Sequence, residues 1–214
     1  MNKSMKKFIP LLLAVFALSS CEKDPDMDKL DNDYLVYTNY DKQTDFQSFE
    51  TYYLPDSILV IGNRKETEYW KDAHAQEILA AYENCMNQKG YIRVDQRKDA
   101  DLGLQMSYVK SSYYFTNYTN PYWWWDYPGY WGAPYWGNWS GCYYPYAVSY
   151  SYSTGSFIAE MLNLNVPEGK AEKLPVIWSS YMTGLLSGFS DANTRLAVRG
   201  VNQSFAQSAY LNRN

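Results

Sequence analysis

Residues 67–90, TEYWKDAHAQEILAAYENCMNQKG, carry the clearest periodicity in the chain. Trp70, His74, Ile78, Ala81, Tyr82 and Cys85 recur at spacings of three and four, which places them on one stripe of an α-helix. Gly90 follows where a helix commonly ends in a left-handed residue, a conformation that glycine adopts without a Cβ penalty. On either side the period falls to two. Upstream, Leu35, Tyr37 and Asn39 alternate with Tyr34, Val36 and Thr38, and Phe49 to Leu54 continues the β-rich composition until Pro55-Asp56 interrupts it. Downstream, the spacing predicts a short strand over Tyr91–Asp95 and a longer one over Leu102–Tyr114. Ser156–Val166 sets Phe157, Ala159 and Met161 against Ile158, Leu162 and Leu164, and Val176–Leu186 puts Val176, Trp178, Ser180 and Met182 on one face. Asn193–Tyr210 returns to helical period, with Val198, Val201, Phe205 and Ala209 apolar. This order predicts an α+β fold: a mostly antiparallel mixed sheet with two helices packed on one face, plus a long aromatic-rich insertion.

Several short motifs recur in the same order in a known family. They are Thr44-Asp45-Phe46 through Phe49-Glu50-Thr51-Tyr52, Lys89-Gly90-Tyr91, Asp101-Leu102, Thr154-Gly155, Val176-Ile177-Trp178 and Phe205-Ala206-Gln207-Ser208. By their order and spacing, residues 34–211 resemble the bacterial envelope lipoproteins of domain-of-unknown-function family 4136. The resemblance implies a small α+β domain, a lipid-anchored envelope location and no established catalytic activity. Positions 160 and 163, where an Asp is expected in that family, are Glu and Asn here, so no carboxylate site is assigned to them.

The chain has 214 residues and a formal charge of −4, with no Lys/Arg cluster of the kind that neutralises phosphates, so no nucleic-acid partner is expected. Its first 20 residues read as a lipoprotein signal peptide. Lys3, Lys6 and Lys7 precede the apolar run Phe8–Leu18, which is too short to span a bilayer as a mature helix. Leu18-Ser19-Ser20-Cys21 then resembles the bacterial lipobox, which implies cleavage before Cys21 and acylation of that residue. Without the three lysines of the leader, 16 basic residues remain against 23 acidic ones, a charge of −7. Residues 21–33 form an acidic flexible tether behind the lipidated Cys21, with six carboxylates between Glu22 and Asp33 and almost nothing to bury. The expected location is the outer membrane, with the membrane contact made through the lipid on Cys21. Two readings of the tether stand: a signal that exports the protein to the cell surface, or a spacer that holds the domain (34–214) off the membrane.

Residues 113–152 hold 19 of the 39 aromatic residues, six of the eight tryptophans (Trp123, Trp124, Trp125, Trp131, Trp136 and Trp139), and a single charge, Asp126. Four prolines and four glycines prevent a helix or long strand from running through this tract, which exceeds the usual loop length several-fold. Three readings compete. The rings pack on each other and on the domain; or they form a recognition surface for a protein partner; or they stack on a polysaccharide or sit at the membrane interface. Three consecutive tryptophans cannot all point one way, so the exposed set is expected to include Trp124 and one of Trp131 or Trp136. The six tryptophans are the candidate ligand-binding residues.

Chemistry elsewhere is sparse. His74 is the only histidine, it has no nucleophile at a recognisable spacing, and packing on or beside the helix is its expected role. One His and three Cys do not supply paired zinc ligands, so no metal and no cofactor is expected. With Cys21 acylated, Cys85 and Cys142 remain. Cys85 lies in the last turn of the first helix and reads as a small core residue rather than half of a disulfide. No residue is assigned a catalytic role, and a non-enzymatic protein is expected; the competing class is a protein that binds or acts on glycans.

Overall fold

The computed structural model describes residues 34–62, 68–110, 136, 139, 142–146, 155–166, 173–184 and 190–213. The first helix, α1, runs Ala73–Gln88. Asp72 caps it, accepting hydrogen bonds from the backbone N–H groups of His74 and Ala75 at 3.0 and 3.1 Å and from the Trp70 indole. Its other end closes as a Schellman turn. Gly90 has φ 91°, its N–H bonds the Asn87 carbonyl, and the Tyr91 N–H reaches back to Met86. The second helix, α2, runs Asp191–Ala206 and is capped by Ser190. Both helices run in the same direction: His74 meets Asp191 at their starts, and Cys85 meets Asn202 further along.

Among the described residues nine strands form the sheet: β1 Leu35–Tyr40, β2 Thr51–Tyr53, β3 Ile58–Ile61, β4 Glu68–Trp70, β5 Ile92–Arg93, β6 Leu102–Val109, β7 Cys142–Tyr143, β8 Ser156–Asn163 and β9 Leu174–Thr183. The long ladders β1–β9, β9–β8 and β8–β6 are antiparallel. On its far edge β6 pairs in parallel with β2 at its start (Tyr52 opposite Leu102) and with β3 at its end (Leu59 opposite Ser107). β5 adds to β2 in parallel, β4 to β3 in antiparallel, and β7 to the start of β9 in parallel. The architecture is α+β, with both helices on one face of a mixed, open sheet.

Between helices and sheet lies the main core. Ile78, Tyr82 and Met86 of α1 and Val201 and Phe205 of α2 meet Tyr52, Leu104, Met106, Phe157, Met161, Trp178 and Met182. The Tyr82 ring stacks on Phe157 and stands edge-on to Phe205. Helix α2 approaches the sheet so closely that a Cβ on Gly200 would lie 1.8 Å from the Tyr34 hydroxyl and 2.6 Å from the Met182 sulfur. Every residue of β6 is buried, as expected of a strand covered on both faces.

The structure departs from the sequence reading in four places. Strand β3 occupies a stretch in which the sequence predicts no element, and β4 takes the first residues of the stretch with helical period. Ile58–Ile61 is four consecutive apolar residues, buried on both faces, and so lacks the alternation that marks a half-buried strand. Trp70 belongs to β4 and not to the helix, because Asp72 begins the helix after it. Val176 does not share a face with Trp178: Met161 pairs with Trp178 but Leu162 with Val176, so a bulge at Ile177 reverses the alternation and turns Val176 to the other side. Finally, α2 stops at Ala206, so Ala209 leaves the helical stripe and is exposed, while Ser208 turns inward to accept the Trp178 indole N–H at 3.0 Å.

Candidate functional site

The sheet face opposite the helices is not open to solvent. Leu59, Ile61, Val109, Ile158, Leu162, Leu174, Val176 and Tyr181 form a second apolar cluster there, and Trp136, Trp139, Cys142 and Tyr144 from the aromatic insertion complete it. The insertion leaves and rejoins the sheet at one point, since Gly155 donates its N–H to the Val109 carbonyl at 2.9 Å and Ser156 pairs with Val109.

One row of this face is polar. Gln105 on β6 lies opposite Glu160 on β8, Glu160 opposite Ser179 on β9, and Ser179 opposite Asn39 on β1. Gln105, Glu160 and Ser179 are buried, Glu160 completely. Each takes a hydrogen bond from an aromatic side chain of the insertion. The Trp136 indole N–H donates to Gln105 Oε1 at 2.7 Å, the Tyr144 hydroxyl donates to the Glu160 carboxylate, and the Tyr146 hydroxyl donates to Ser179 Oγ at 3.0 Å. Gln105 is oriented for this by its own amide, which donates to the Met106 carbonyl at 2.7 Å. A buried carboxylate and carboxamide are costly unless bonded, so this row gives the insertion a defined seat where apolar packing alone would allow it to slide.

The rings fit the seat closely. Trp136 lies over Gly103, where a Cβ would come within 2.2 Å of its Cζ3, and stands edge-on to Tyr53. Tyr144 and Tyr146 are mutually perpendicular, with centroids 5.3 Å apart. Strand β7 and the residue after it alternate: Cys142 and Tyr144 are buried, whereas Tyr143 is exposed. Burial pushes the Cys142 thiol well above its ordinary range, so it is not primed as a nucleophile. Cys85 is likewise raised by burial and is a free thiol in the other cluster, on the helix side of the sheet. His74 sits beside the helix interface, its Nε2 3.7 Å from Asp191, and among the described residues no nucleophile is bonded to it. Among the described residues no three His, Cys, Asp or Glu side chains gather as metal ligands.

Of the six candidate tryptophans, Trp136 and Trp139 are brought together on this face, and both are buried. Trp136 is therefore not one of the exposed rings: the glycine at 103 opens a slot for it and Gln105 satisfies its N–H. Cys21, Trp123, Trp124, Trp125 and Trp131 lie outside the described residues. The polar row itself was not found from sequence. Its one visible signal is Glu160, a lone carboxylate at the position between Ile158 and Leu162 on an otherwise apolar face.

An α+β domain with two parallel helices on one face of a mixed sheet and an aromatic cover tied to the other defines the class of protein. The model of a domain of unknown function, DUF4136, matches residues 36–208, and the chain belongs to that family. A crystal structure of a DUF4136 family protein from Bacteroides thetaiotaomicron is 58% identical to it. That match covers 85% of this chain and 98% of the other, with a TM-score of 0.77. No curated protein matches the chain.

Proposed function

We propose that this chain is a lipid-anchored outer-membrane protein, non-enzymatic, whose α+β domain holds the Trp/Tyr-rich insertion as a contact surface for a protein partner in the envelope. The observation that carries this reading is the seat: Gln105, Glu160 and Ser179, from three adjacent strands, each hold one aromatic side chain of the insertion. A domain that commits the centre of its sheet to fixing one insertion acts as a scaffold for it. The Leu18-Ser19-Ser20-Cys21 motif supports the anchor. The low charge and the Trp123-Trp124-Trp125 run support contact by rigid rings, which lose little conformational entropy on binding.

Metabolic labelling with a palmitate analogue tests the anchor: label should enter the wild type and be absent from Cys21→Ser. A photo-crosslinking residue at position 124 in intact cells tests the surface. A discrete protein adduct that disappears in the Trp123→Ala/Trp125→Ala background is the expected result. Absence of any protein adduct sinks the partner reading, and retention on a glycan array that the alanine variants abolish transfers it to polysaccharide.

A further inference from the structure

Among the described residues, no strand pairs with the outer edge of β1. Asp41 donates its N–H to the Ile177 carbonyl at 2.9 Å in the same register as the β1–β9 ladder, so residues 35, 37 and 39 exchange hydrogen bonds with β9. The backbone groups of Val36, Thr38 and Tyr40 consequently point away from the sheet. Among the described residues, side chains reach this edge at two points: Gln207 donates to the Val36 carbonyl at 3.3 Å, and Asn39 Oδ1 accepts the Tyr40 N–H at 2.9 Å. At Thr38 neither backbone group has a partner among the described residues on this side.

Sheet proteins ordinarily protect such an edge with lysine, proline, a bulge or inward charge. Leu35–Tyr40, LVYTNY, has no charge and no proline, and its ladder with β9 is unbroken. Two of the four large apolar residues that stand exposed among the described residues, Leu35 (46%) and Tyr37 (47%), lie on this strand; the others are Ile92 and Tyr143.

We propose that β1 pairs with β1 of a second copy of this chain, antiparallel and centred on Thr38, so that two sheets join across a two-fold axis. Three features select a second copy. The outward groups of both strands are in phase when Val36 faces Tyr40 of the other copy and Thr38 faces Thr38, which makes the edge self-complementary. The strand is uncharged, so an identical strand meets no repulsion and a charged peptide finds no complement. Finally, β1 begins 14 residues after Cys21, so every anchored copy holds this edge within one short tether of the membrane. Five paired residues on each strand form a small contact beside the ~1,000 Å² of a stable interface, and confinement on one membrane raises the effective concentration that such a contact needs. This last argument rests on the lipid-anchor reading.

The test is a cysteine at the axis. Paired β-strand residues that exchange hydrogen bonds have Cα atoms about 5.5 Å apart, within disulfide range, and Cys85 and Cys142 are buried. The full chain carrying Thr38→Cys is produced in cells, membranes are treated with copper phenanthroline, and Gln88→Cys, on the exposed end of α1, serves as control. The expected result is a reducible species of twice the monomer mass for Thr38→Cys, joined through residue 38 in both chains, and at least tenfold less for Gln88→Cys. A Thr38→Cys protein that stays monomeric while maleimide labels it fully overturns the proposal, as does a disulfide to a different protein. Circular dichroism matching wild type establishes that the variant is folded. Fractionation reads the anchor separately: if the wild type is not membrane-bound, that reading fails, and pairing is judged by the same disulfide in the soluble fraction.

Discussion

Tyr144 donates its hydroxyl hydrogen to the carboxylate of Glu160, a side chain with no exposed surface, and so a residue of the aromatic insertion closes over the centre of the sheet. Removing one member of such a pair leaves the other buried with a bond unmade, which costs about 1–3 kcal/mol. Tyr144→Phe should therefore lower stability by that order, and Glu160→Leu should also destabilise by leaving the Tyr144 hydroxyl short of this acceptor. The double variant Tyr144→Phe/Glu160→Leu should lose clearly less than the sum of the two. Urea denaturation of the four proteins gives the coupling; strictly additive losses would show that the two residues do not act as a pair.

Trp136 fits its slot only because position 103 is glycine. Gly103→Ala sets a Cβ against the indole edge, and overpacking of this kind costs typically 1–3 kcal/mol. Trp136→Ala should cost more, about 3–5 kcal/mol, because it opens a cavity and also strips Gln105 Oε1 of its donor. In Gly103→Ala the indole must shift, so a change in the tryptophan near-ultraviolet circular dichroism should accompany the loss. An unchanged spectrum and midpoint would mean that Trp136 does not occupy this slot in solution.

Asp101 ties the start of β2 to the end of β8. Its carboxylate accepts the N–H groups of Glu50 and Thr51, the Thr51 hydroxyl and the Asn165 amide. Burial acts to raise its pKa, but the Thr51 and Glu50 backbone bonds and the two side-chain donors outweigh this and hold the carboxyl below its ordinary 3.8. A depressed acid contributes stability that is fully present above the unfolded value and is lost as pH falls through the folded one. The contribution of Asp101 should accordingly be complete at pH 6 and decline below about pH 4. Asp101→Asn should show a destabilisation at pH 6 that shrinks towards pH 3, measured by urea midpoints across that range. A stability gap that stays constant with pH would rule out a charged role.

Cys85 and Cys142 lie in different clusters, on the helix side and the far side of the sheet, and burial raises both thiols. Neither should react with maleimide in the folded protein over minutes, both should react in urea without reductant, and the mass of the chain should not change on reduction. A two-dalton shift on reduction would contradict this placement.

Gly200 marks where α2 lies closest to the sheet, and the first atom in its way is the Tyr34 hydroxyl. Gly200→Ala should destabilise by about 1–3 kcal/mol. Adding Tyr34→Phe removes that oxygen but also the 2.7 Å bond to the Leu196 carbonyl. The double variant should recover part of the loss and no more, since Met182 still crowds the site. Thermal midpoints of the three variants check this.

Both helices were legible because their signals are local. Ile78, Tyr82 and Cys85 in the first and Val201 and Phe205 in the second recur at helical spacing, and Gly90 ends the first, whereas the caps Asp72 and Ser190 that set the starts are placed by the structure. The alternation of Phe157, Ala159 and Met161 against Ile158 and Leu162 likewise matches the two faces of β8. Ile58–Ile61 was not legible, because a strand covered on both faces carries no period of two. Nor was the turned face of Val176, since a bulge depends on the pairing partner as much as on the strand that bends.

The sequence by itself therefore determined the apolar stripe at the centre of each helix, the two faces of β8, the end of the first helix at Gly90, and that the aromatic excess belongs to one insertion between two strands. Only the tertiary structure decided what that insertion rests on. Gln105 and Glu160 lie 55 residues apart in sequence, Glu160 and Ser179 a further 19, and the three become neighbours solely through the register of three strands. Periodicity specifies the side to which a residue points but not the residue across from it. The polar seat is a property of that pairing, and no single strand carries it.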